Sequence, residues 1–167
     1  LHKVTGKSYE QLLDNTFKKQ FGIDYTNYND FVNSPNRVEN YGADGKPFFD
    51  NPSIFNREVG TGSIEMTTGN LYKLLHEELA GKLISKNLLH QMLVTGPNEN
   101  YASGMYDDGN AYRFHGVLLG FEPSVKTTKD GKTMVIWLSN ENAAQSKENY
   151  TLVNQIFDLV TGAPATK

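Results

Sequence analysis

Two short turns between residues 101 and 139 constrain the fold most strongly. The turn at 107–110 (Asp-Asp-Gly-Asn) and the turn at 129–131 (Lys-Asp-Gly) each separate two runs of β-forming residues. The four predicted strands cover residues 101–106, 111–118, 121–128 and 132–138. Because residues 134–138 are continuously apolar, they predict a central strand that is covered on both faces. Successive hairpins of this kind predict an antiparallel sheet with helices packed on it.

Four amphipathic helices are predicted before and after these strands. Ser8, with Gln11 three residues later, gives the first helix a capping-box pattern. In each helix the apolar residues recur at a spacing of three or four, which places them on one face. The predicted helices cover 9–20, 69–80, the residues between Ser85 and Gly96, and 147–160. The combination predicts an α+β fold in which helices flank an antiparallel sheet.

Residues 23–66 form a long region of different composition, rich in Asn, Tyr, Pro and Gly. A loop of this length inside a compact domain is usually functional, and the alternative is that it contains short strands that the pattern does not place. At 167 residues the chain has the length of one domain, so we treat 1–167 as a single unit.

Composition excludes several classes of function. The net charge is −3 and there is no basic stripe, which argues against nucleic-acid binding. The absence of Cys removes disulfides, thiolate metal sites and cysteine nucleophiles. No window approaches the roughly 18 apolar residues that a membrane span needs.

Three familiar motifs fail on inspection. A phosphate-binding loop that ends at Ser8 would require Gly at position 1, where the chain has Leu1. The sequence from His76 begins like a zinc-protease helix, but its fifth residue is Ala80 instead of His. No Gly-x-Ser-x-Gly elbow occurs. The sequence therefore predicts no metal site and no cofactor.

His115 is the histidine with the most informative surroundings. It lies in a predicted strand among aromatic and aliphatic residues, where a titratable group is costly unless it is paired or placed at a cleft. Gly116 follows it and lacks a side chain, which allows a ligand to approach the backbone. One interpretation places His115 at a binding cleft, and the other has it facing solvent on an edge strand.

Several short segments follow one another in an order that resembles the serine β-lactamase-like family. That family includes class C β-lactamases, D-alanyl-D-alanine carboxypeptidases, penicillin-binding-protein-related esterases and D-amino-acid hydrolases. The resemblance covers nearly the whole chain and implies the C-terminal part of a β-lactamase/transpeptidase-like fold, so that 1–167 is one partial domain. The segments that carry it are 4–13, 21–23, 60–71, 83–85, 92–93, Tyr101, Gly104, 115–116, 120–121 and 137–140.

The chemistry implied by this resemblance is acyl transfer to the Ser of a Ser-x-x-Lys box, assisted by a Tyr-x-Asn box and a Lys- or His-led triplet. Only the triplet has a match here. His115 holds the Lys/His position and is assigned a catalytic role, Gly116 and Val117 would contact substrate, and the backbone N–H of Leu118 would serve the oxyanion hole. Val117 departs from the Gly that the family usually has.

The other two boxes are missing from this chain. No Ser-x-x-Lys occurs in the 167 residues. Residues 16–19 (Thr-Phe-Lys-Lys) and 25–27 (Tyr-Thr-Asn) imitate the two boxes at the wrong places in the family order. The resemblance therefore implies the C-terminal fragment of a bacterial serine hydrolase that lacks the nucleophile and is inactive alone. It also implies small-molecule or cell-wall peptide substrates, such as peptidoglycan, and an extracytoplasmic location, either secreted or associated with the cell envelope.

Two other functions stay open, together with one prediction about assembly. The chain could be a non-catalytic binding or regulatory module of the same architecture. It could also be an unrelated carbohydrate-binding β-module that uses the Asn/Tyr-rich region 23–66 as its binding surface. Because the family covers this sheet with an N-terminal half that the chain lacks, we expect an uncovered sheet edge that favours self-association.

Overall fold

The computed structural model describes residues 1–35, 37–48, 60–97, 99–141 and 147–162. The helices are α1 (His2–Thr5), α2 (Tyr9–Leu13), α3 (Tyr28–Val32), α4 (Thr68–Leu79), α5 (Lys86–Met92) and α6 (Lys147–Thr161), and α2 continues as a π-helical segment, Asp14–Phe21. The strands are β1 (Thr26–Asn27), β2 (Ile64–Glu65), β3 (Tyr101–Ala102), β4 (Met105–Asp107), β5 (Ala111–His115), β6 (Glu122–Thr128) and β7 (Met134–Ser139).

A five-stranded antiparallel sheet with the strand order β3-β4-β5-β6-β7 confirms the predicted meander. The turn chemistry explains the first predicted hairpin, because Gly109 has a φ of 85° and its N–H donates to Asp107 Oδ1 over 2.8 Å. The predicted strand 101–106 is instead two strands. Ser103 and Gly104 have φ values of 49° and 94°, and the chain reverses there.

The prediction of a central position for residues 134–138 is wrong, because β7 is the last strand of the sheet that the described residues form. Helices α4 and α6 both pack against β7, which explains its apolar character. They cover opposite faces, since Lys126 of β6 is bonded to Asn154 of α6 while its neighbour Val125 lines the side shared with α4. Trp137 and Leu138 nevertheless remain 37% and 42% exposed.

The predicted helix starts are confirmed by their caps. Ser8 Oγ accepts from Gln11 N–H over 3.1 Å, and Ser8 N–H donates to Gln11 Oε1 over 2.9 Å, which completes the capping box of α2. The side chain of Thr67 caps α4, and that of Ser85 caps α5. The first helix departs from the prediction because its second half widens into a π-helix from Asp14 onwards.

Region 23–66 contains short elements, as the second interpretation of this region expected. Strands β1 and β2 pair antiparallel within it, and its residues 49–59 lie outside the described residues. The buried side chain of Asn40 donates to the carbonyl of Leu119, and Asn140 Nδ2 donates to the carbonyl of Glu39 over 2.7 Å. These bonds fasten the region to the turn between β5 and β6 and to the residue that follows β7.

Among the described residues, Leu79, Leu89 and Met105 form a buried hydrophobic cluster, with Tyr112 and Phe114 packed against it. On α6, Leu159 is 82% exposed although Val153 and Phe157 are buried. Within the residues that the structure describes, no helix has the length and apolar character needed to cross a bilayer.

Candidate functional site

The β5–β6 hairpin brings a histidine and a carboxylate together. His115 pairs with Ser124 across the two strands, and Glu122 lies two residues before Ser124, so His115 and Glu122 share one face. His115 Nε2 is 3.1 Å from Glu122 Oε1. Glu122 is fully buried, whereas the His115 side chain keeps 22% of its exposure. This pair compensates the burial of both groups.

The pairing also determines what the imidazole can do. An ionised carboxylate only accepts hydrogen bonds, so the contact favours a proton on Nε2 and leaves Nδ1 as the acceptor. The hydrogen bond to the buried carboxylate fixes the orientation of the ring. His115 is among the residues that line a cavity, although the strand register places its side chain on the face of the sheet that carries Ser124 and Glu122, opposite Val125.

That cavity has a volume of about 620 Å³ and lies between α4, β2 and the face of the sheet that carries Val125. Its walls are mostly apolar, and its polar side chains are Glu65, His115, Ser139 and Asn140. The principal apolar residues are Leu71, Leu74, Leu75, Phe114, Val125 and Leu138. A volume of this size suits a small organic ligand or an inserted apolar segment.

The three residues after His115 are placed differently from one another. Gly116 lines the cavity, and its N–H donates to the carbonyl of Pro123 over 3.2 Å. Val117 is exposed and lies outside the cavity lining. The N–H of Leu118 donates to the carbonyl of Phe121 over 2.9 Å, so in this arrangement it is engaged within a tight turn. The structure therefore brings His115 and Gly116 into one site, without Val117 and Leu118.

A close packing contact holds this turn in place. Gly120 has a φ of 84°, and a Cβ atom there would lie 2.9 Å from the carbonyl oxygen of Tyr41. Only glycine combines this conformation with such a close approach of two backbones. The turn after His115 is thus fixed against region 23–66.

Glu65 is a site residue that the sequence analysis missed. Its Oε2 atom is buried without a hydrogen-bond partner, and the residue lines the cavity. Burial raises the pKa of Glu65 to about 7, opposed by a hydrogen bond to its own backbone. The available signal was a carboxyl between two apolar residues, Ile64 and Met66, directly after a Gly-rich turn.

The described part of the cavity supplies acid–base groups but no activated nucleophile. Ser139 is the hydroxyl residue in its lining, and Ser139 Oγ donates to the carbonyl of Glu141 over 2.8 Å. That bond uses the hydroxyl proton that a general base would have to remove. Among the described residues, no group of three or more His, Asp or Glu side chains could hold a metal ion.

No family model matches the chain, but one curated protein and several solved structures are similar to it. A protein of Bacillus subtilis (strain 168) named "Putative penicillin-binding protein PbpX" is 30% identical over 163 residues, covering 92% of this chain and 41% of that protein. The structure of FmtA from Staphylococcus aureus superposes with a TM-score of 0.78 at 20% identity, covering 99% of this chain and 47% of FmtA.

A D-stereospecific amidohydrolase from Streptomyces sp. has the same fold, with a TM-score of 0.67 and 21% identity over 88% of this chain and 48% of the amidohydrolase. The predicted α+β, β-lactamase/transpeptidase-like fold class is thereby confirmed. The chain spans less than half the length of each of these three proteins. By sequence and by fold, it therefore resembles the penicillin-binding-protein-related, β-lactamase-like hydrolases over part of their length.

Proposed function

We propose that this chain forms the sheet side of an acyl-transfer site in a serine hydrolase, and that the nucleophilic Ser belongs to polypeptide outside these 167 residues. The observation that carries the proposal is that His115, which is bonded to the buried Glu122, is one of the residues that line an apolar cavity. The pair supplies a positioned proton donor or acceptor, while the apolar walls exclude water from a reacting carbonyl.

In this proposal His115 is the general acid or base, or it orients the group that is. Glu122 positions the ring of His115 through the hydrogen bond of 3.1 Å. Gly116 borders the path of the substrate. A role of the Leu118 N–H as an oxyanion donor requires that the bond to the carbonyl of Phe121 opens when substrate binds. Val117 would contact only the part of a substrate that extends out of the cavity.

The proposed substrates are amides, β-lactams or esters, including cell-wall peptides. The B. subtilis relative is named for penicillin binding, and the Streptomyces relative is named as a D-stereospecific amidohydrolase. Such substrates place the parent protein outside the cytoplasm, secreted or at the cell envelope. In this proposal the chain has no acyl-transfer activity by itself.

The function is tested by labelling with a fluorescent penicillin. The product of the whole gene should be acylated, and His115→Asn should slow acylation by about 10²-fold, the lower end of what a general acid or base contributes. His90→Asn is the matched control, because His90 is exposed on α5 and lies outside the cavity lining. An equal acylation rate in the His115→Asn variant would contradict the assigned role.

A further inference from the structure

The carboxyl of Glu65 has an unusual position in this cavity. Within the described parts of the chain, only Glu65 Oε2 and Ser124 Oγ are buried side-chain polar atoms that lack a hydrogen-bond partner. Of these two residues, only Glu65 lines the cavity. An uncompensated carboxyl oxygen against apolar walls is unfavourable unless a ligand supplies a donor.

The position of Glu65 is fixed by the backbone on both sides. Glu65 pairs with Thr26, and Ile64 pairs with Asn27, in the two-stranded sheet of β1 and β2. Ile64 and Met66 also line the cavity, so the carboxyl is enclosed by its own apolar neighbours along the chain. The β1–β2 pairing thus holds the backbone of Glu65 beside the cavity.

The charges around the cavity favour a cationic occupant at Glu65. The titratable side chains among its described lining residues are Glu65 on β2 and His115 on β5, and His115 is already paired with Glu122 of β6. The remaining lining near Glu65 is apolar, including Phe31 of α3 and Leu71 and Leu74 of α4. A primary ammonium would supply both the missing hydrogen-bond donor and the opposite charge.

We propose that the cavity selects substrates whose apolar body carries a primary ammonium group, which Glu65 binds while the reacting carbonyl lies beside His115 and Gly116. The inference rests on the proposed function for the location of the carbonyl. The binding of the ammonium itself does not depend on catalysis. Glu65 is then a specificity-determining residue, and the volume of about 620 Å³ accommodates a substrate group of drug-like size.

The test compares 3-phenylpropylamine with its neutral analogue 3-phenylpropan-1-ol, each titrated calorimetrically into the 167-residue chain at pH 8. We expect the amine to bind at least about tenfold more tightly, as a charge-assisted hydrogen bond provides. Glu65→Gln should remove this preference and leave the binding of the alcohol unchanged. Glu78→Gln is the matched control, because burial also raises the pKa of Glu78 while the residue lies outside the cavity lining.

Repeating the titration at pH 6 adds a second readout. The amine stays charged because its pKa is near that of Lys, about 10. Its affinity should fall by about tenfold as Glu65 takes up a proton, since only the ionised fraction binds. The pH dependence that remains in the Glu65→Gln variant measures the contribution of all other groups.

Three outcomes would overturn this inference. The amine and the alcohol could bind equally well to the unsubstituted chain, amine binding could survive Glu65→Gln, or neither compound could bind because the cavity receives a polypeptide segment. The first and third outcomes need no variant, so a folding defect does not obscure them. If penicillin labelling still depends on His115 in any of these cases, the proposed function stands and only the ammonium site is refuted.

Discussion

Glu65 and His115 line the same cavity but differ in how their burial is compensated. His115 has a carboxylate partner at 3.1 Å, whereas the Oε2 atom of Glu65 has none. Burial raises the pKa of Glu65 to about 7. The stability of the chain should therefore depend on pH through Glu65.

The sign of this dependence follows from proton binding. Above its ordinary pKa of 4.5 the unfolded carboxyl is ionised, while the folded one keeps its proton until about pH 7. The folded state thus binds more protons in this window, and the free energy of unfolding should fall as pH rises from 4.5 to 7. Because the residue is only partly buried, we expect a change on the order of 1 kcal/mol.

Urea denaturation at several pH values measures this change. The difference in unfolding free energy between the chain and its Glu65→Gln variant should vary across the window and become constant above pH 7. Taking the difference cancels the titration of the other carboxyls, including Asp14, Asp107 and Asp130, whose pKa values are lowered. A difference that does not vary with pH would contradict the burial of this carboxyl.

At the residue scale, the sequence identifies a functional side chain when its neighbours along the chain differ from it in polarity. His115 was identified because a titratable side chain interrupts an apolar strand. Glu65 was missed because its burial depends on α4 and on sheet residues about fifty positions away. The oxyanion role of Leu118 rests on the order of motifs in the resembling family. That order carries no information about the hydrogen bond from the Leu118 N–H to the carbonyl of Phe121.

At the element scale, the turn between β5 and β6 controls the position of His115. Gly120→Ala should lower the free energy of unfolding by about 2–4 kcal/mol, because it combines positive-φ strain with a clash against the Tyr41 backbone. Gly109→Ala is the matched control, with a φ of 85° and no atom within 4 Å of the new Cβ, and should cost only about 1 kcal/mol.

Chemical denaturation of both variants separates the cost of the positive-φ strain from the cost of the clash with the Tyr41 backbone. Equal losses of stability would contradict the close approach between the turn and region 23–66. A further consequence concerns the site, because displacement of the turn should also weaken ligand binding in the cavity for Gly120→Ala and not for Gly109→Ala.

The hairpins and helix caps were predictable because their determinants are local. Gly109 and Ser8 specify a turn and a cap through bonds to residues two or three positions away. The position of β7 was not predictable, because an apolar run covered by two helices has the same pattern as a central strand. The division between β3 and β4 depends on Ser103, a non-glycine residue with positive φ.

At the scale of the whole molecule, several large apolar side chains are exposed on β7 and on α6, the helix packed against it. Trp137 and Leu138 lie on the strand that ends the described sheet, and Leu159 and Val160 lie on the packed helix. Such surfaces favour association with a second copy or with a complementary polypeptide. We expect the purified chain to self-associate.

Sedimentation velocity over a hundredfold range of concentration tests this expectation. The mean mass should increase with concentration, and Trp137→Lys should reduce the increase. Val94→Lys is the matched control, since Val94 is 66% exposed but lies outside β7 and α6. A mass that stays monomeric at all concentrations would refute self-association through these surfaces.

The most direct test of the account is to locate the acylated residue by peptide mass spectrometry after reaction with a β-lactam. The account predicts no covalent adduct on the isolated 167-residue chain. In the product of the whole gene it predicts one adduct, on a Ser outside these residues, whose formation slows when His115 is replaced. An adduct on any side chain within residues 1–167 would contradict the claim that this chain supplies the wall of the site and not its nucleophile.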